Sequence, residues 1–183
     1  MEFLFDLWLP IIVGTVVLWF MSFGFWALSP HHFGDRKKVD EEDALMDYLK
    51  QSKLPPGNYM FPYCASAKEQ GDKAYMEKYM NGPRGTLNVY AVPNMASNMI
   101  RTILYFLVTV FTIAYITHVA CPPTEEATNF MKVFRIAGTI SVLTYAASGV
   151  LNRIWFVERM WTHILDGVAY GIVLGLIFAA MWP

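Results

Sequence analysis

The stretch from Trp161 to Pro183, WTHILDGVAYGIVLGLIFAAMWP, decides the fold. Between Trp161 and Trp182 it is apolar apart from Thr162, His163, Asp166 and Tyr170. At about 1.5 Å of rise per residue, a helix of this length crosses a hydrocarbon layer about 30 Å thick. The stretch therefore predicts a transmembrane helix. Gly167, Gly171, Gly175 and Ala179 recur at every fourth position, so they fall on one ridge that carries almost no side chain. Apolar burial does not drive helices together in lipid, and association there depends on close packing, which such a ridge permits. A second helix is expected against it, from this chain or from another.

Three more segments share this character. Leu7–Leu28 is interrupted only by Pro10, near its start where a missing N–H costs little, and it carries Trp8 and Trp26 near its ends, where indole rings favour the headgroup layer. It follows Glu2 and Asp6 without a basic leader region and is longer than a signal-peptide core, so it reads as a span. Met99–Ala120 is the second span, with Arg101 placed to snorkel at its start and Cys121-Pro122-Pro123 to stop it. After an acidic turn, Thr124-Glu125-Glu126, the third runs over Phe130–Leu151. It carries Lys132 and Arg135 in its first turns and Thr139, Ser141, Thr144 and Ser148 along its length. Those hydroxyls can bond back to their own helix, and with Gly138, Ala146, Ala147 and Gly149 they make this helix the expected partner of the glycine ridge. The short connection over 152–160 then forces the last two spans into an antiparallel hairpin.

The bulk composition agrees. Of 183 residues, 55% are hydrophobic and 16% aromatic, and the mean hydropathy of +0.34 is too apolar for an ordinary soluble domain. A formal net charge of −1 supplies no basic field for nucleic acid. Two cysteines, Cys64 and Cys121, are too few for a disulfide framework.

Lysine and arginine fix the expected orientation. Arg36, Lys37, Lys38, Lys50, Lys53, Lys68, Lys73, Lys78 and Arg84 lie between the first two spans, with Arg101 just beyond and Arg153 and Arg159 in the last turn; only Lys132 and Arg135 fall on the other side. By the positive-inside rule both termini are periplasmic and the long connection is cytoplasmic. That connection is patterned. Acidic residues followed by Ala44, Leu45, Tyr48 and Leu49 predict a helix over Glu41–Gln51, Pro55-Pro56-Gly57 a turn, and NYMFPY over 58–63 an extended segment. Asp72–Met80 predicts a second helix ended by Asn81-Gly82-Pro83, and Thr86–Val92 alternates so as to pair with 58–63. The expected fold is an all-α membrane protein: transmembrane helix 1 over 1–30, a small α+β cytoplasmic cap over 31–97, and transmembrane helices 2 to 4 over 98–183.

The order of span, His pair, acidic helix, LPPGNYMFPYC over Leu54–Cys64, GPRG at Gly82–Gly85, and a terminal LDGVAYG with MWP resembles a family of small bacterial multi-pass membrane proteins to which no activity is attached. The resemblance covers most of the chain and is sharpest at Leu54–Cys64. It implies a bacterial inner membrane and transfers no reaction.

One constellation follows from the topology. His31 and His32 leave the first span on the side from which His163 and Asp166 enter the last, so the four are expected at a similar depth. His163, Asp166 and Tyr170 share a stripe at i, i+3, i+7, and a carboxylate about 7 to 8 Å inside Trp161 is costly unless paired. His31, His32, His163 and Asp166 are thus candidate ligands for a transition metal, and His31, His32 or His163 for haem or a chlorophyll-type pigment. The simpler expectation from spacing is that Asp166 pairs with Arg153 or Arg159 and that the His pair sits among headgroups, since no HExxH or CxxC spacing is present. His118 and Cys121, Cys64, and the GPRG turn carry no catalytic or phosphate-binding pattern.

Without a catalytic motif, the expected role is non-catalytic: an accessory or structural subunit of a larger bacterial membrane complex, energy-transducing assemblies included, with lipid and other membrane subunits, or a second copy through the glycine ridge, as partners. The alternatives are a haem- or metal-binding redox protein, and a small transporter or channel in which Asp166, Arg135 and the hydroxyls of the third span line one path.

Overall fold

Four helices are long and apolar enough to cross a membrane in the computed structural model, which describes residues 2–122, 128–156 and 158–183: Phe3–Leu28, Met95–Ala120, Phe130–Trp155 and Trp161–Met181. The acidic turn expected at 124–126 lies outside the described residues. The chain divides into two compact units, Met1–Lys37 with Met95–Pro183, and Lys38–Asn94.

In the helical unit, α1 (Glu2–Phe23) contains Pro10, fully buried, and then widens into a π-helical turn, Gly24–Leu28, closed by the Ser29 N–H on the Gly24 carbonyl at 3.0 Å. One turn of 3₁₀ helix, Pro30–His32, follows. A π turn inserts one extra residue, which advances every later side chain by about 100° around the axis. Further along the chain are α5 (Met95–Ala120), α6 (Phe130–Tyr145), α7 (Val150–Trp155) and α8 (Trp161–Met181). The third span is therefore not one regular helix over Phe130–Leu151: it breaks after Tyr145, ahead of Gly149, the weakest helix former of that stretch, and resumes at Val150.

The glycine ridge of α8 meets α6. A Cβ at Gly171 would lie 3.0 Å from the Gly138 carbonyl oxygen and 3.0 Å from the Val142 amide nitrogen, and one at Gly175 would lie 3.0 Å from the Phe134 carbonyl oxygen and 3.1 Å from the Gly138 Cα. At Gly167 a Cβ would run into the backbone of Ala146. Residue numbers fall along α6 as they rise along α8, so the two helices are antiparallel, as the short connection predicts. The ridge is covered by its own chain, so any second subunit has to use another face. Ala179, at its end, is buried with Leu174 and Phe178 in a core completed by Leu7 and Leu18 of α1, Val110 and Ile113 of α5, and Val133 of α6.

Hydroxyls inside the spans bond back to their own helix, Ser141 to the Ala137 carbonyl at 2.6 Å and Thr144 to that of Ile140 at 2.8 Å. Thr109 of α5 and the Tyr145 hydroxyl of α6 join two helices at 2.7 Å.

The Lys38–Asn94 unit contains α2 (Glu42–Ser52), β1 (Gly57–Phe61), α3 (Ala67–Gln70), α4 (Lys73–Asn81) and β2 (Gly85–Val89). The expected pairing forms: β1 and β2 are antiparallel in the register Gly57 with Val89 through Phe61 with Gly85. Lys53, at φ 49°, takes the left-handed conformation that ends α2. The Ser66 hydroxyl and the Asp72 carboxylate cap α3 and α4 by accepting from the Glu69 and Ala74 amides.

Candidate functional site

Each spanning helix reverses direction, so the end of α1 and the start of α8 lie together, and there the polar side chains converge. His31 Nε2 is 2.8 Å from Asp166 Oδ1, and His32 Nε2 is 2.8 Å from Asp166 Oδ2. Both carboxylate oxygens are thereby held by the His pair. The other nitrogen of each ring is also engaged: His31 Nδ1 with the Ser29 hydroxyl at 2.5 Å, and His32 Nδ1 with Asp35 Oδ2 at 2.5 Å. Asp35 in turn accepts from the Thr162 hydroxyl at 3.3 Å and lies 3.8 Å from an Arg159 nitrogen and 3.9 Å from His163 Nε2.

Two sequence expectations are corrected by this geometry. Asp166 pairs with His31 and His32, not with Arg153 or Arg159; Arg159 goes to Asp35, and Arg153 stands 3.7 Å from Glu158. Nor is His32 left among headgroups, since its side chain is only 4% exposed, whereas that of His31 is 30% exposed. The physical reason is the π turn and the 3₁₀ turn after it, which turn the end of the first span inward. Trp26 stacks on His32 with ring centroids 4.1 Å apart and planes 10° apart, and Phe25 stacks on Tyr170 at 5.6 Å. Trp26 thus walls the site with one face while staying 49% exposed.

His32 lies between two carboxylates. Burial disfavours its charged form, yet the hydrogen bonds from its two nitrogens to Asp35 and Asp166, with the negative charge of both, outweigh that and hold its pKa above the ordinary histidine value. Burial likewise pushes the Asp35 pKa up, but the hydrogen bond and charge of His32, with the charge of His163, prevail and bring it below the ordinary carboxylate value.

His31, His32 and Asp166 place one nitrogen or oxygen each within 4.8 Å of one another, and so do His32, Asp35 and His163. A metal holds nitrogen and oxygen at about 2.0 to 2.2 Å, which spaces ligand atoms roughly 3 Å apart around one ion. The 2.8 Å separations in the first triad suit that. In that arrangement Asp35 and Ser29 occupy the far nitrogens of the two rings, the place where a metal-binding histidine ordinarily finds a carboxylate or other partner. His163 then stands beside Asp35, outside the ligand set. The donors, two imidazoles and one carboxylate, suit a borderline divalent transition metal.

Asp35 is the residue that sequence reasoning missed. A signal for it was present, because the spacing H-x-x-D occurs twice, at His32–Asp35 and His163–Asp166. Tyr170, expected on one stripe with His163 and Asp166, lines with them an adjoining cavity of about 180 Å³ that Tyr145 and Arg153 also border. That volume is below the roughly 300 to 1,000 Å³ of pockets that enclose drug-sized ligands. Arg135 lines a different, apolar cavity between α6 and α8, with Gly138, Val142 and Gly171. His118 and Cys121 lie at the other end of the bundle, where His118 packs on Phe3 at 5.3 Å and Cys121 is buried.

Compared with family models, curated proteins and solved structures, the chain matches none. Fold and site therefore define only a class: an α-helical protein with four membrane-length helices and a buried histidine–carboxylate cluster at one end of them.

Proposed function

We propose that this chain is a membrane protein that binds one divalent transition-metal ion through His31, His32 and Asp166. The observation that supports this is the pairing of both Asp166 oxygens with two imidazoles whose far nitrogens are already engaged. A set of two histidines and one carboxylate leaves coordination positions open, so the ion is accessible to water or a further ligand. The test is metal analysis of the full chain purified in mild detergent, followed by titration of the stripped protein with Zn²⁺, Mn²⁺ and Fe²⁺. One ion per chain is expected, lost in His32→Ala and in Asp166→Asn; undiminished uptake in both variants defeats the assignment.

The membrane assigned is the bacterial inner membrane, with both termini periplasmic and Lys38–Asn94 cytoplasmic, supported by the lysine and arginine distribution and by the family resemblance.

A second reading, the accessory subunit, is favoured by a separate observation. None of the residues of α2, α3 or α4 is buried, while Met60, Phe61, Tyr63, Tyr90 and Val92 are exposed. Apolar surface of that kind on a small unit suits a protein partner. Native mass measurement of the detergent-purified protein distinguishes a stable larger complex from an isolated chain.

A further inference from the structure

Beside the histidine–carboxylate cluster, the break between α6 and α7 borders the cavity of about 180 Å³, whose polar lining includes Ser148, Arg153, Tyr145, Tyr170, His163 and Asp166. Arg153 lines this space. Its side chain is 16% exposed, and its Nε is buried with no hydrogen-bond partner among the described residues. The one carboxylate within ion-pair range among the described residues, Glu158, is half exposed and 3.7 Å away, beyond hydrogen-bond length. Asp166 lines the same cavity but makes no ion pair with Arg153 among the described residues, its two oxygens facing His31 and His32. The Tyr145 hydroxyl is tied to Thr109.

The guanidinium lies against the backbone of the break. At Gly149, in the break itself, a Cβ would meet the Arg153 guanidinium, which would have to swing aside. A largely buried guanidinium next to membrane-length helices, whose ion pair with the half-exposed Glu158 is long, is stabilised by a closer counter-charge. We propose that the cavity binds an oxyanion, a carboxylate or phosphate group, with Arg153 as its counter-charge. Guanidinium matches either group with paired N–H donors. The volume admits a small anion or one phosphate group and excludes a nucleotide, since a water molecule alone takes about 30 Å³. The group comes either from a free small anion or from a phospholipid headgroup. This site is independent of the metal assignment, which does not involve Arg153.

The experiment uses the full chain, metal-stripped, in mild detergent. Trp26 lines the cavity, so tryptophan fluorescence follows titration with formate, acetate and inorganic phosphate, while native mass spectrometry records co-purifying phospholipid. Saturable binding is expected, weakened about tenfold or more in Arg153→Gln, the scale of a charged hydrogen bond, and largely retained in Arg153→Lys. Gly149→Ala, which displaces the guanidinium, should weaken it as well. Phospholipid retained by the wild type and absent from Arg153→Gln identifies the lipid source; saturation by the free anions alone identifies the other. Helical circular dichroism and gel-filtration elution of Arg153→Gln should equal those of the wild type, which verifies that the variant folds whether or not a metal binds. Anion and lipid occupancy equal in wild type and Arg153→Gln overturns the site.

Discussion

His32 is where the site's energetics concentrate. Its ring faces a carboxylate at each nitrogen, and the protonated ring satisfies both. Because its folded pKa is raised above 6.5, the stabilisation from its charged form is fully present below that value and is lost as pH rises through the raised one. Asp35 has the opposite sign: its folded pKa lies below 3.8, so its contribution is present above that value and lost as pH falls through the lowered one. The metal-stripped protein should therefore be most stable to heat between these two limits, and its Tm should decline as pH climbs past the His32 transition. A Tm that rises across that range contradicts the assignment. Metal affinity should move the other way, tightening as pH rises, because His32 must give up its Nε2 proton to the ion. Asp35 orients that ring without touching the ion, and Asp35→Asn should weaken metal binding about 10- to 100-fold. Titration of the stripped variant measures this against Asp166→Asn, where binding should disappear.

Among the helices, α8 is the most buried of the four spans and the one that joins packing to chemistry. Its glycines let the backbone of α6 approach, and Asp166 sits one residue before the first of them. Gly171→Ala places a methyl 3.0 Å from two backbone atoms of α6, an overpacking expected to cost about 1 to 3 kcal/mol. Thermal unfolding in detergent should record that loss with no change in native mass, because the crossing is within one chain. Gly171→Leu should abolish expression of folded protein. Gly24→Ala is the contrast: nothing lies within 4 Å of the added carbon, and the change should stay within about 0.5 kcal/mol. The π turn that contains Gly24 and the break before α7 border the same polar region, and both replace regular helix where side chains must turn inward.

At the level of the complete chain, every residue of the proposed metal site and of the anion cavity belongs to the helical unit, Met1–Lys37 with Met95–Pro183. Replacing Lys38–Asn94 by a Gly/Ser linker should leave metal uptake at one ion per chain, measured by the same metal analysis; loss of uptake in a folded variant would show that the inserted unit contributes to the site. The four membrane-length helices, the small-residue crossing of α6 with α8, and the pairing of β1 with β2 were legible in the residues, because hydrophobic length, a four-residue repeat and a two-residue alternation are local patterns that the backbone converts directly into helix, ridge and strand. The gathering of His31, His32, His163 and Asp166 was legible too, since alternating spans must return the chain to the same side. The partners within that gathering were not. Asp166 meets His31 and His32 across 135 and 134 residues, and which nitrogen faces which oxygen depends on how far each helix is rotated about its axis. The π turn sets that rotation at the end of the first span, and the break after Tyr145 sets where Arg153 falls; neither leaves a periodic mark in the sequence. Hydrophobic length is a property of each segment alone, whereas the pairing of buried polar groups is settled only when packed helices exclude water and each such group must find a partner inside the protein.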